Sequence, residues 1–435
     1  MNQPGGAAEV DSDSVRIYST LSKTQRTREE PVTQQTQIIV AGGGIGGLSA
    51  AVALARAGRT VRIVEQASEF RAIGYGIQLG PNAHHAFRHL GIEQEILDRC
   101  SLPEAGVLAN AVTGETLLRL PMGEEMRRRY GQPYAVIHRP DLHEVLIEAC
   151  RREGVELITD CELRSFEDTG SLVRVDTSKG TLEASALVAA DGIWSKSRTA
   201  LVGPETPERL GYVAFRAVRP MSEIPAHLAK NEVKLWCGPS CHMIHYPLHG
   251  GTIFNLVIGF DYRYNAEAEA GMSYKERILK RFEGACEDVR GLLPYLDFSR
   301  FWEIATITPI STWSKGRVTL LGDSAHAMVQ AMAQGACQAI EDALVLAQCV
   351  STADEDYAAA FREFNSRRLV RATRVQYMSR FMWELIHVRG AYVDLRQSML
   401  SRFRDSDTLE MLSWLYDEHA AGLGRKELPH IARAG

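Results

Sequence analysis

The pattern of apolar and polar residues from Thr36 to Glu65 predicts a strand, a helix and a second strand. Ile38–Ala41 is a short apolar, β-prone run, Leu48–Ala57 is a helix-forming run, and Val61–Val64 is again apolar and β-prone. Two such strands on either side of a helix are typical of a parallel sheet with a crossover helix. The segment therefore predicts the start of an α/β domain.

The rest of the chain alternates between α/β and β-rich patterning. Helix-like and strand-like runs alternate to about residue 209, strand-like runs dominate to about residue 316, and the α/β pattern then returns. We therefore predict an α/β fold class, as an α+β composite in which one domain interrupts the other. The predicted organisation, in chain order, is a disordered tail (1–35), the first part of an α/β domain (36–209), a β-rich domain (210–316), the second part of the α/β domain (317–356) and a helical region (357–435).

Individual elements follow from the same patterns. Gly250-Gly251 predicts a hairpin turn, and Pro140 suits the first turn of a helix. The predicted strands beyond the first two are 155–159, 185–190, 212–218, 232–237, 242–248, 252–260 and 318–321, and the predicted helices are 139–153 and 336–350, followed by helical patterning over 357–419.

Three glycines, in the pattern Gly42-x-Gly44-x-x-Gly47, occupy the turn from the first strand into the first helix. Gly42 permits a tight turn, Gly44 lets the backbone approach a pyrophosphate, and Gly47 lets the helix pack closely on the strand. The pyrophosphate would lie at the positive end of the helix dipole, and Glu65 stands where an acid accepts a hydrogen bond from a ribose hydroxyl. The glycine pattern alone is weak, but with the strands, helix and acid in order it predicts a dinucleotide site.

Composition and charge narrow the class of protein. The 435 residues are 45% hydrophobic and 24% charged, with a formal net charge of −5, which is ordinary for a globular protein and gives no sign of a nucleic-acid partner. No stretch approaches the roughly 18 consecutive apolar residues of a membrane span. The polar tail over residues 1–35 lacks the apolar segment of a secretory signal. The eight cysteines are scattered without a CxxC pair, so we expect reduced thiols and a cytoplasmic protein.

Three histidines, His242, His245 and His249, are close together in sequence. They lie on a predicted strand and its turn, where successive side chains alternate between faces, so His242 and His245 point to opposite sides. A metal ion needs ligands that converge. We therefore predict no metal site.

Two further strand ends carry an acid beside a glycine. In Leu187–Arg198 a buried strand ends on Asp191-Gly192, and in Arg317–Ala343 a strand ends on Gly322-Asp323 before Gln334-Gly335-Ala336 opens a long helix. An acid at a strand end can accept a hydrogen bond from a ribityl or ribose hydroxyl, and a helix N-terminus can stabilise negative charge on a reduced ring system. Each motif alone could be a strand-ending turn, but all three glycine motifs in this order are much less expected by chance.

Together the three motifs resemble those of the single-component (class A) flavoprotein aromatic hydroxylases, over about Thr36 to Gly422. The resemblance implies a Rossmann-like FAD-binding domain interleaved with a β-sheet substrate domain and followed by a helical C-terminus. It also implies FAD as cofactor, with O₂, a small aromatic substrate and NADH or NADPH as co-substrate. The sequence contains no second complete nucleotide-binding fingerprint, which fits the transient docking of the nicotinamide in that family.

The resemblance assigns FAD contacts to particular residues. Glu65 matches the acid on the adenosine ribose, Arg139 the arginine that contacts the flavin side chain, and Asp323 the ribityl-binding aspartate. Asp191 matches the aspartate of the central motif. The implied FAD-binding residues are Gly42, Gly44, Gly47, Glu65, Arg139, Asp191, Asp323, Gly335 and Ala336.

The segment after Asp323 completes the implied flavin site. Gly335 and Ala336 are expected to present backbone N–H groups to the pyrimidine end of the isoalloxazine. His326 is expected to order the loop near the flavin rather than to act as a base. The chain departs from the family at Ala327, where a proline usually follows the GDxxH pattern, so we expect the pocket beside the flavin to differ there.

Within that family, four stretches look like the 3-hydroxybenzoate 6-hydroxylases, and His242, Tyr246 and Gln330 match the substrate-pocket residues of that subfamily. Related salicylate and hydroxypyridine hydroxylases share much of this pattern, so the match is less specific than the FAD motifs. The four stretches are 75–82, 131–143, 238–248 and 382–387.

His242 and Tyr246 suit the implied chemistry. They are four residues apart on one predicted strand, so both project from the same face, with Cα atoms about 13 Å apart at about 3.3 Å per residue. That span could bracket a small aromatic ring, and a histidine with a pKa near about 6.5 can accept the phenolic proton. A phenolate reacts more readily than a phenol with the electrophilic oxygen of a flavin C4a-hydroperoxide. The competing interpretation makes His242 a hydrogen-bonded core residue and Tyr246 an edge aromatic.

The expected function is hydroxylation of a small phenolic carboxylate, similar to 3-hydroxybenzoate, at the position para to its hydroxyl. Decarboxylating salicylate 1-hydroxylation and hydroxypyridine-carboxylate monooxygenation remain open, as do a flavin oxidase, a simple nicotinamide dehydrogenase and a flavoprotein without enzyme activity. NADH is favoured over NADPH by resemblance only. The oligomeric state is also open, with a homodimer as one option.

Overall fold

The structure is a computed structural model that describes residues 37–70 and 74–423, so the tail predicted over residues 1–35 lies outside the described residues. The strands are β1 (Ile38–Ala41), β2 (Val61–Val64), β3 (Gly76–Leu79), β4 (Cys100–Ser101), β5 (Ala105–Asn110), β6 (Thr116–Pro121), β7 (Ala135–His138), β8 (Glu156–Ile158), β9 (Leu163–Asp168), β10 (Val173–Thr177), β11 (Gly180–Ala184), β12 (Ala186–Ala189), β13 (Glu208–Pro220), β14 (Glu232–Gly238), β15 (Cys241–Leu248), β16 (Ile253–Asp261), β17 (Phe301–Thr306), β18 (Ser314–Lys315) and β19 (Val318–Leu320). The α-helices are α1 (Ile45–Arg56), α2 (Pro81–His89), α3 (Glu93–Leu97), α4 (Glu124–Tyr130), α5 (Arg139–Arg152), α6 (Lys196–Val202), α7 (Tyr274–Arg281), α8 (Glu287–Leu292), α9 (Asp323–His326), α10 (Gly335–Thr352), α11 (Tyr357–Ile386), α12 (Ala391–Leu400), α13 (Asp405–Met411) and α14 (Ser413–Tyr416).

A six-stranded sheet, in the order β18-β19-β12-β1-β2-β8, forms the centre of the α/β part. Its strands run parallel from β19 to β8, and β18 pairs antiparallel with β19. Every residue of β1 is buried, as expected for a parallel strand that is covered on both faces. The carboxyl ends of β1, β12 and β19 meet at one edge, so the three motif-bearing turns that follow them come together there.

Different layers cover the two faces of this sheet. Ile38 and Val40 face a core that includes residues of α1, α5, α10 and α11, and α1 packs directly on α10 and α5. Ile39 and Ala41 face the other way, onto Val173 of the antiparallel sheet β11-β10-β9. The side chains of β1 point alternately to the two faces of the sheet, so this strand joins a helical layer and a β layer into one α/β part.

A seven-stranded sheet, in the order β17-β13-β16-β15-β14-β5-β6, forms the second large layer. Its neighbouring strands are antiparallel except for β14 and β5, which run parallel. β13 to β16 occur where we predict them. β5 and β6, however, come from residues 105–121, outside the predicted β-rich domain. Val107 and Ala109 of β5 contribute to the apolar core of this sheet. The β-rich layer therefore is not confined to residues 210–316.

The helical patterning over residues 357–419 corresponds to the four helices α11 to α14. α11 packs along α10 and ends at His387, its C-cap residue. A small antiparallel sheet, β3-β7-β4, is formed by residues between β2 and β8 in the sequence. The predicted hairpin turn joins β15 and β16 through a 3-10 turn at His249–Gly251. None of the helices within the described residues combines the length and apolarity needed to cross a membrane.

Gly42 and Gly47 shape the turn between β1 and α1. Gly42 has φ +110°, which L side chains rarely adopt, and a Cβ built there would collide with the backbone of Ala190. A Cβ at Gly47 would collide with the carbonyl oxygen of Gly42. These two glycines therefore serve the tight turn and the close helix–strand packing that the sequence pattern predicts.

Candidate active site

A cavity of about 690 Å³ lies where the carboxyl edge of the six-stranded sheet meets the seven-stranded sheet and α11. Gly44 and Asp323 border it from the first side, Arg216 and His242 from the second, and Trp383 from α11. The volume is within the range of about 300–1,000 Å³ that is typical of small-molecule and cofactor sites. This cavity is the candidate active site.

The turn at Gly44 leaves space for a group from outside the chain. A Cβ built on Gly44 would meet no protein atom within 4 Å, although the residue borders the cavity. Gly44 is also the N-cap of α1, which has no side-chain cap and no acidic residue in its first turn. Unpaired N–H groups at the positive end of a 12-residue helix favour an anion. The cradle therefore fits a pyrophosphate, as the sequence predicts.

Asp323, Arg139 and the start of α10 form a second polar group at the cavity. Burial raises the pKa of the Asp323 carboxyl, and the charges of His326 and Arg139 oppose that rise. Burial also lowers the pKa of the Arg139 guanidinium, against the influence of Asp323. α10 begins at Gly335, and Gly335 and Ala336 border the cavity with the N–H groups of the first turn. An acceptor, a cation and several donors suit the hydroxyls and ring edge of FAD.

Glu65 does not border this cavity. Its Oε2 accepts a hydrogen bond of 2.6 Å from the Gly43 N–H, and its Oε1 accepts one of 2.8 Å from the Ala67 N–H. The carboxylate thus ties the end of β2 to the glycine turn. The ribose contact that the resemblance implies for Glu65 stays a prediction.

Asp191 also lies outside the cavity lining, and its carboxylate forms hydrogen bonds with residues that follow it closely in sequence. Its Oδ1 accepts a hydrogen bond of 2.6 Å from the Ser195 hydroxyl, and its Oδ2 accepts one of 3.1 Å from the Ser197 N–H. Both carboxylate oxygens therefore order the first turn of α6. The FAD contact implied for Asp191 stays a prediction, and the neighbouring Ala190 and Gly192 border the cavity instead.

We expect Asp191→Ala to lower the free energy of unfolding by about 0.5–2 kcal/mol, as for loss of a side chain that accepts from an N–H in the first turn of a helix. FAD content, measured by absorbance of the purified protein, tests the predicted FAD contact separately, because the carboxylate also binds α6. Asp191→Asn, which keeps an oxygen acceptor, is the matched control for the urea-unfolding measurement. A folded Asp191→Ala variant without flavin would instead support the FAD contact.

A buried network of charges holds the segment around Asp323. Arg368 on α11 donates to Glu341 and, over 2.7 Å, to Asp342 on α10. Asp342 also accepts from the Gly322 N–H at 3.1 Å and from His326 Nε2 at 2.6 Å. His326 therefore orders this loop, as predicted.

The network also fixes the charge of Asp342. Burial would raise the pKa of its carboxyl, but His326 and Arg368 outweigh burial and lower that pKa to about 2. The unfolded-state pKa of an aspartate is about 3.9. The stabilisation is therefore present above about pH 4 and is lost as the pH falls towards 2.

Alternate side chains of β15 border the cavity. His242, Ile244 and Tyr246 line it, as the period of two predicts for one face of a strand. His245 lies on the opposite face, stacked on Phe254 with ring centroids 5.0 Å apart. Burial lowers the pKa of His245 to about 3, so it is a neutral packing residue. The structure thus brings His242 and Tyr246 together, and separates His245 from them.

His242 is paired with a second histidine. Its Nδ1 lies 2.8 Å from His387 Nε2, and both rings are buried. Burial, assisted by the nearby Arg216 charge, lowers the pKa of His242 to about 4. At neutral pH the ring is uncharged, with one N–H nitrogen and one bare nitrogen, so it can accept a proton and act as a base.

Tyr246 and Gln330 are the other predicted pocket residues, and both border the cavity. Burial raises the pKa of Tyr246, against the influence of Arg216 and Gln78, so its hydroxyl remains a hydrogen-bond donor at neutral pH. Gln78 accepts a hydrogen bond of 2.7 Å from Tyr134. Gln330 opens a 3-10 turn, Gln330–Met332, directly before α10. All three predicted pocket residues thus share one cavity.

Among the cavity residues that the sequence did not predict are Arg216 and Trp383, and His387 behind them was not predicted either. Arg216 is a charged residue within the apolar run of β13, and that interruption was a signal for it. Trp383 and His387 belong to a stretch that resembles the subfamily, but α11 reaches the cavity only through tertiary packing.

Ala327 has a proline-like backbone without being proline. Its φ is −51°, close to the value that a proline ring imposes. Its carbonyl oxygen accepts hydrogen bonds from Thr306 Oγ1 at 3.0 Å and from the Ile307 N–H at 3.3 Å. These bonds fix the local chain path, so the departure from the family sequence is compatible with the same loop shape.

One group of three potential metal ligands occurs within the described residues. It differs from the three histidines that are close together in sequence, His242, His245 and His249. Ligand atoms of His138, Asp141 and His249 lie within 4.8 Å of one another. His249 Nε2 is 2.7 Å from Asp141 Oδ2, an ordinary His–Asp contact at the start of α5. His242 and His245 are not part of the group.

Comparison with known proteins places this geometry in a family. The sequence matches the family model described as an FAD binding domain over residues 35–375. A 3-hydroxybenzoate 6-hydroxylase of Polaromonas naphthalenivorans (strain CJ2) is 39% identical over 381 residues, which cover 87% of this chain and 95% of that relative. The chain belongs to the FAD-binding aromatic hydroxylase family.

Other relatives agree with this assignment. A 6-hydroxynicotinate 3-monooxygenase of Pseudomonas fluorescens is 33% identical over 353 residues, 80% of this chain and 91% of that relative. A crystal structure of Klebsiella pneumoniae HpxO with FAD and uric acid has a TM-score of 0.77 at 25% identity, covering 88% of this chain and 97% of the other. The protein is an FAD-dependent aromatic monooxygenase, and the predicted fold class and cofactor are confirmed.

Proposed function

We propose that this hydroxylase acts on a small phenolic carboxylate of the 3-hydroxybenzoate type and places the new hydroxyl para to the existing one. NADH or NADPH is the proposed reductant and O₂ the oxygen source. Bound FAD supplies the redox chemistry, taking electrons from the nicotinamide and delivering one oxygen atom to the ring. The 39% identical relative named 3-hydroxybenzoate 6-hydroxylase supports the proposal.

The observation that carries the proposal is the environment of Arg216. Within the described residues this guanidinium forms no hydrogen bond or ion pair. It makes cation–π contacts with Tyr75 and Trp302, with its Cζ 5.8 and 5.7 Å from the two ring centroids. Burial lowers the pKa of Arg216 from its ordinary value, yet an arginine stays charged at neutral pH. A cation at a cavity wall without a carboxylate partner favours an anionic ligand, because a buried unpaired charge is costly.

His242 and Tyr246 complete the proposed recognition of the ring. Arg216 influences the pKa of both residues, so its charge reaches the same part of the cavity. The neutral His242 ring accepts the phenolic proton, and the Tyr246 hydroxyl donates to the resulting oxygen anion. The phenolate directs electrophilic attack to its ortho and para positions, and Gln330 selects between them by holding the ring.

The substrate is tested with one panel. Purified holoenzyme is given NADH or NADPH, O₂ and, in turn, 3-hydroxybenzoate, salicylate and 6-hydroxynicotinate, and both nicotinamide loss and product identity are measured. The proposal expects stoichiometric conversion of 3-hydroxybenzoate to the para-dihydroxy acid. Faster and better coupled turnover of salicylate with CO₂ release, or of the pyridine acid, would replace the proposed substrate by that one.

We expect Arg216→Met to lower kcat/KM for the carboxylate substrate about 10- to 150-fold, since a hydrogen bond to a charged group contributes about 1.5–3 kcal/mol. The matched measurement uses the carboxamide analogue. Wild-type enzyme should prefer the acid strongly, whereas Arg216→Met should treat acid and amide almost alike. Arg216→Lys should fall between them. An unchanged acid-to-amide preference in a flavin-replete Arg216→Met would show that another group binds the carboxylate.

We also propose that the protein works in a reducing compartment. All eight cysteines are free thiols in the structure and six of them are buried, which suits a reducing compartment such as the cytoplasm. The assembly state stays a prediction, with a homodimer as one option.

A further inference from the structure

His387 lies behind His242 as seen from the cavity, and its surroundings fix its orientation. It is the C-cap residue of α11, is 5% exposed, and packs against the rings of Trp383 and Tyr212 with centroids 4.5 and 4.7 Å away. Its Nδ1 lies 2.7 Å from the carbonyl oxygen of Trp383. A carbonyl oxygen can only accept, so His387 Nδ1 carries the hydrogen and donates it.

The position of that hydrogen determines the next one. Burial and the neighbouring His242 lower the pKa of His387 well below its ordinary value, so the ring is neutral. A neutral imidazole with its hydrogen on Nδ1 has a bare acceptor at Nε2. His242 Nδ1 is 2.8 Å from this acceptor and therefore donates to it. The neutral His242 ring is then left with a bare Nε2.

His242 Nε2 is the nitrogen available to the cavity. It has no hydrogen-bond partner within the described residues, and His242 borders the cavity. The cross-strand neighbour Gly259 makes room for the ring, because a Cβ there would meet His242 Nε2 at 3.0 Å and Nδ1 at 2.9 Å. The ring is thus confined between Gly259 on one side and the His387–Trp383 pair on the other.

We propose that His387 is a positioning residue that holds His242 in the tautomer with hydrogen on Nδ1, so that Nε2 accepts the substrate's phenolic proton; this inference rests on the proposed function. In the step, the substrate O–H bond breaks and an N–H bond forms at His242 Nε2. The positive charge then lies on His242, whose Nδ1–H still donates to His387. Without His387, His242 could carry its hydrogen on Nε2 and would donate to the phenol instead of accepting from it.

The tautomer can be measured directly in the resting holoenzyme. Histidine ¹⁵N shifts distinguish a protonated ring nitrogen from a bare one, and the His242 signals are assigned by their loss in His242→Gln. The inference expects a protonated Nδ1 and a bare Nε2. A protonated Nε2 in the wild-type protein would overturn it. Because no substrate is present, this result is independent of the proposed function.

Two variants of His387 separate positioning from packing. His387→Gln offers an amide N–H to Trp383 and a carbonyl oxygen to His242 Nδ1–H, so it should keep the tautomer and stay within about threefold of wild-type product formation. His387→Leu fills similar space but offers no acceptor. It should reverse or mix the tautomer and lower product formed per NADH consumed. The rate should fall about 10- to 100-fold, less than the roughly 10²- to 10⁴-fold contribution of a general base, because His242 itself is still present.

His245→Leu is the matched control, since it also replaces a buried histidine of β15 but lies off the cavity. It should leave the His242 shifts and the coupling unchanged. Equal coupling and the same His242 tautomer in His387→Leu and wild type would overturn the inference. If His387→Leu does not fold, the ¹⁵N spectra of the wild type and of His387→Gln still test the inference, because they report the tautomer of His242. A correct tautomer in an enzyme that ignores hydroxybenzoates would contradict the proposed function alone.

Discussion

Alanine at position 242 is expected to lower the rate of product formation about 10²- to 10⁴-fold, the usual contribution of a general base. His242 is the cavity-lining imidazole that is neutral at physiological pH, with its second nitrogen engaged by His387. The variant should keep FAD and still consume NADH, but release H₂O₂ in place of hydroxylated product. Oxygen consumption, peroxide and product are measured together.

The pH profile gives the same prediction a second test. His242 acts only in its neutral form, and burial lowers its pKa to about 4. Protonation of this residue should therefore reduce product formation only as the pH falls towards 4, not near the ordinary value of about 6.5.

Tyr246→Phe should shift coupling in the same direction as His242→Ala, and Gln330→Ala should mainly alter the ring position that is hydroxylated. Normal coupling in His242→Ala would assign deprotonation of the phenol to another group.

Asp323→Ala is expected to release FAD or to weaken its binding strongly. The carboxylate borders the cavity near Arg139 and the start of α10, and its removal also leaves Arg139 without its neighbouring anion. A hydrogen bond to a charged group contributes about 1.5–3 kcal/mol, so the dissociation constant should rise at least about tenfold. Flavin absorbance after gel filtration and fluorescence titration with FAD provide the measurement.

The control for this prediction is Asp323→Asn, which keeps the shape and one acceptor oxygen but removes the charge. Its FAD affinity should lie between those of wild type and Asp323→Ala. Circular dichroism and thermal melting establish that each variant is folded, because Asp323 directly follows the Gly322 N–H that the buried charge network holds. A folded Asp323→Ala protein that remains fully yellow would show that the ribityl contact has been assigned wrongly.

Local patterns in the sequence predicted local features well. The glycine turn, the start of α10 beside Gly335 and the shared face of His242 and Tyr246 depend on short-range geometry, namely φ angles and the periods of helix and strand. The loop role of His326 was also predicted, since it follows the strand end that carries Asp323.

Features that depend on distant segments could not be predicted in the same way. His387 meets His242 across 145 positions of the chain, and no periodicity encodes which residue α11 will bring to β15. The carboxylate of Asp191 illustrates a different limit. A strand-ending acid has the same sequence pattern whether it binds a cofactor, orders the following helix or does both. Its carboxylate accepts hydrogen bonds from the first turn of α6, and its FAD contact stays a prediction.

The parallel pairing of β14 with β5 has a consequence for engineering. Exchanging residues 210–316 between relatives, a natural design for transplanting substrate preference, would place a foreign β14 against a resident β5. Every backbone hydrogen bond of that junction would then join two parents. A chimera that transfers residues 104–122 together with 207–316 keeps the whole seven-stranded layer from one parent, and its crossover points fall outside the strands of that layer.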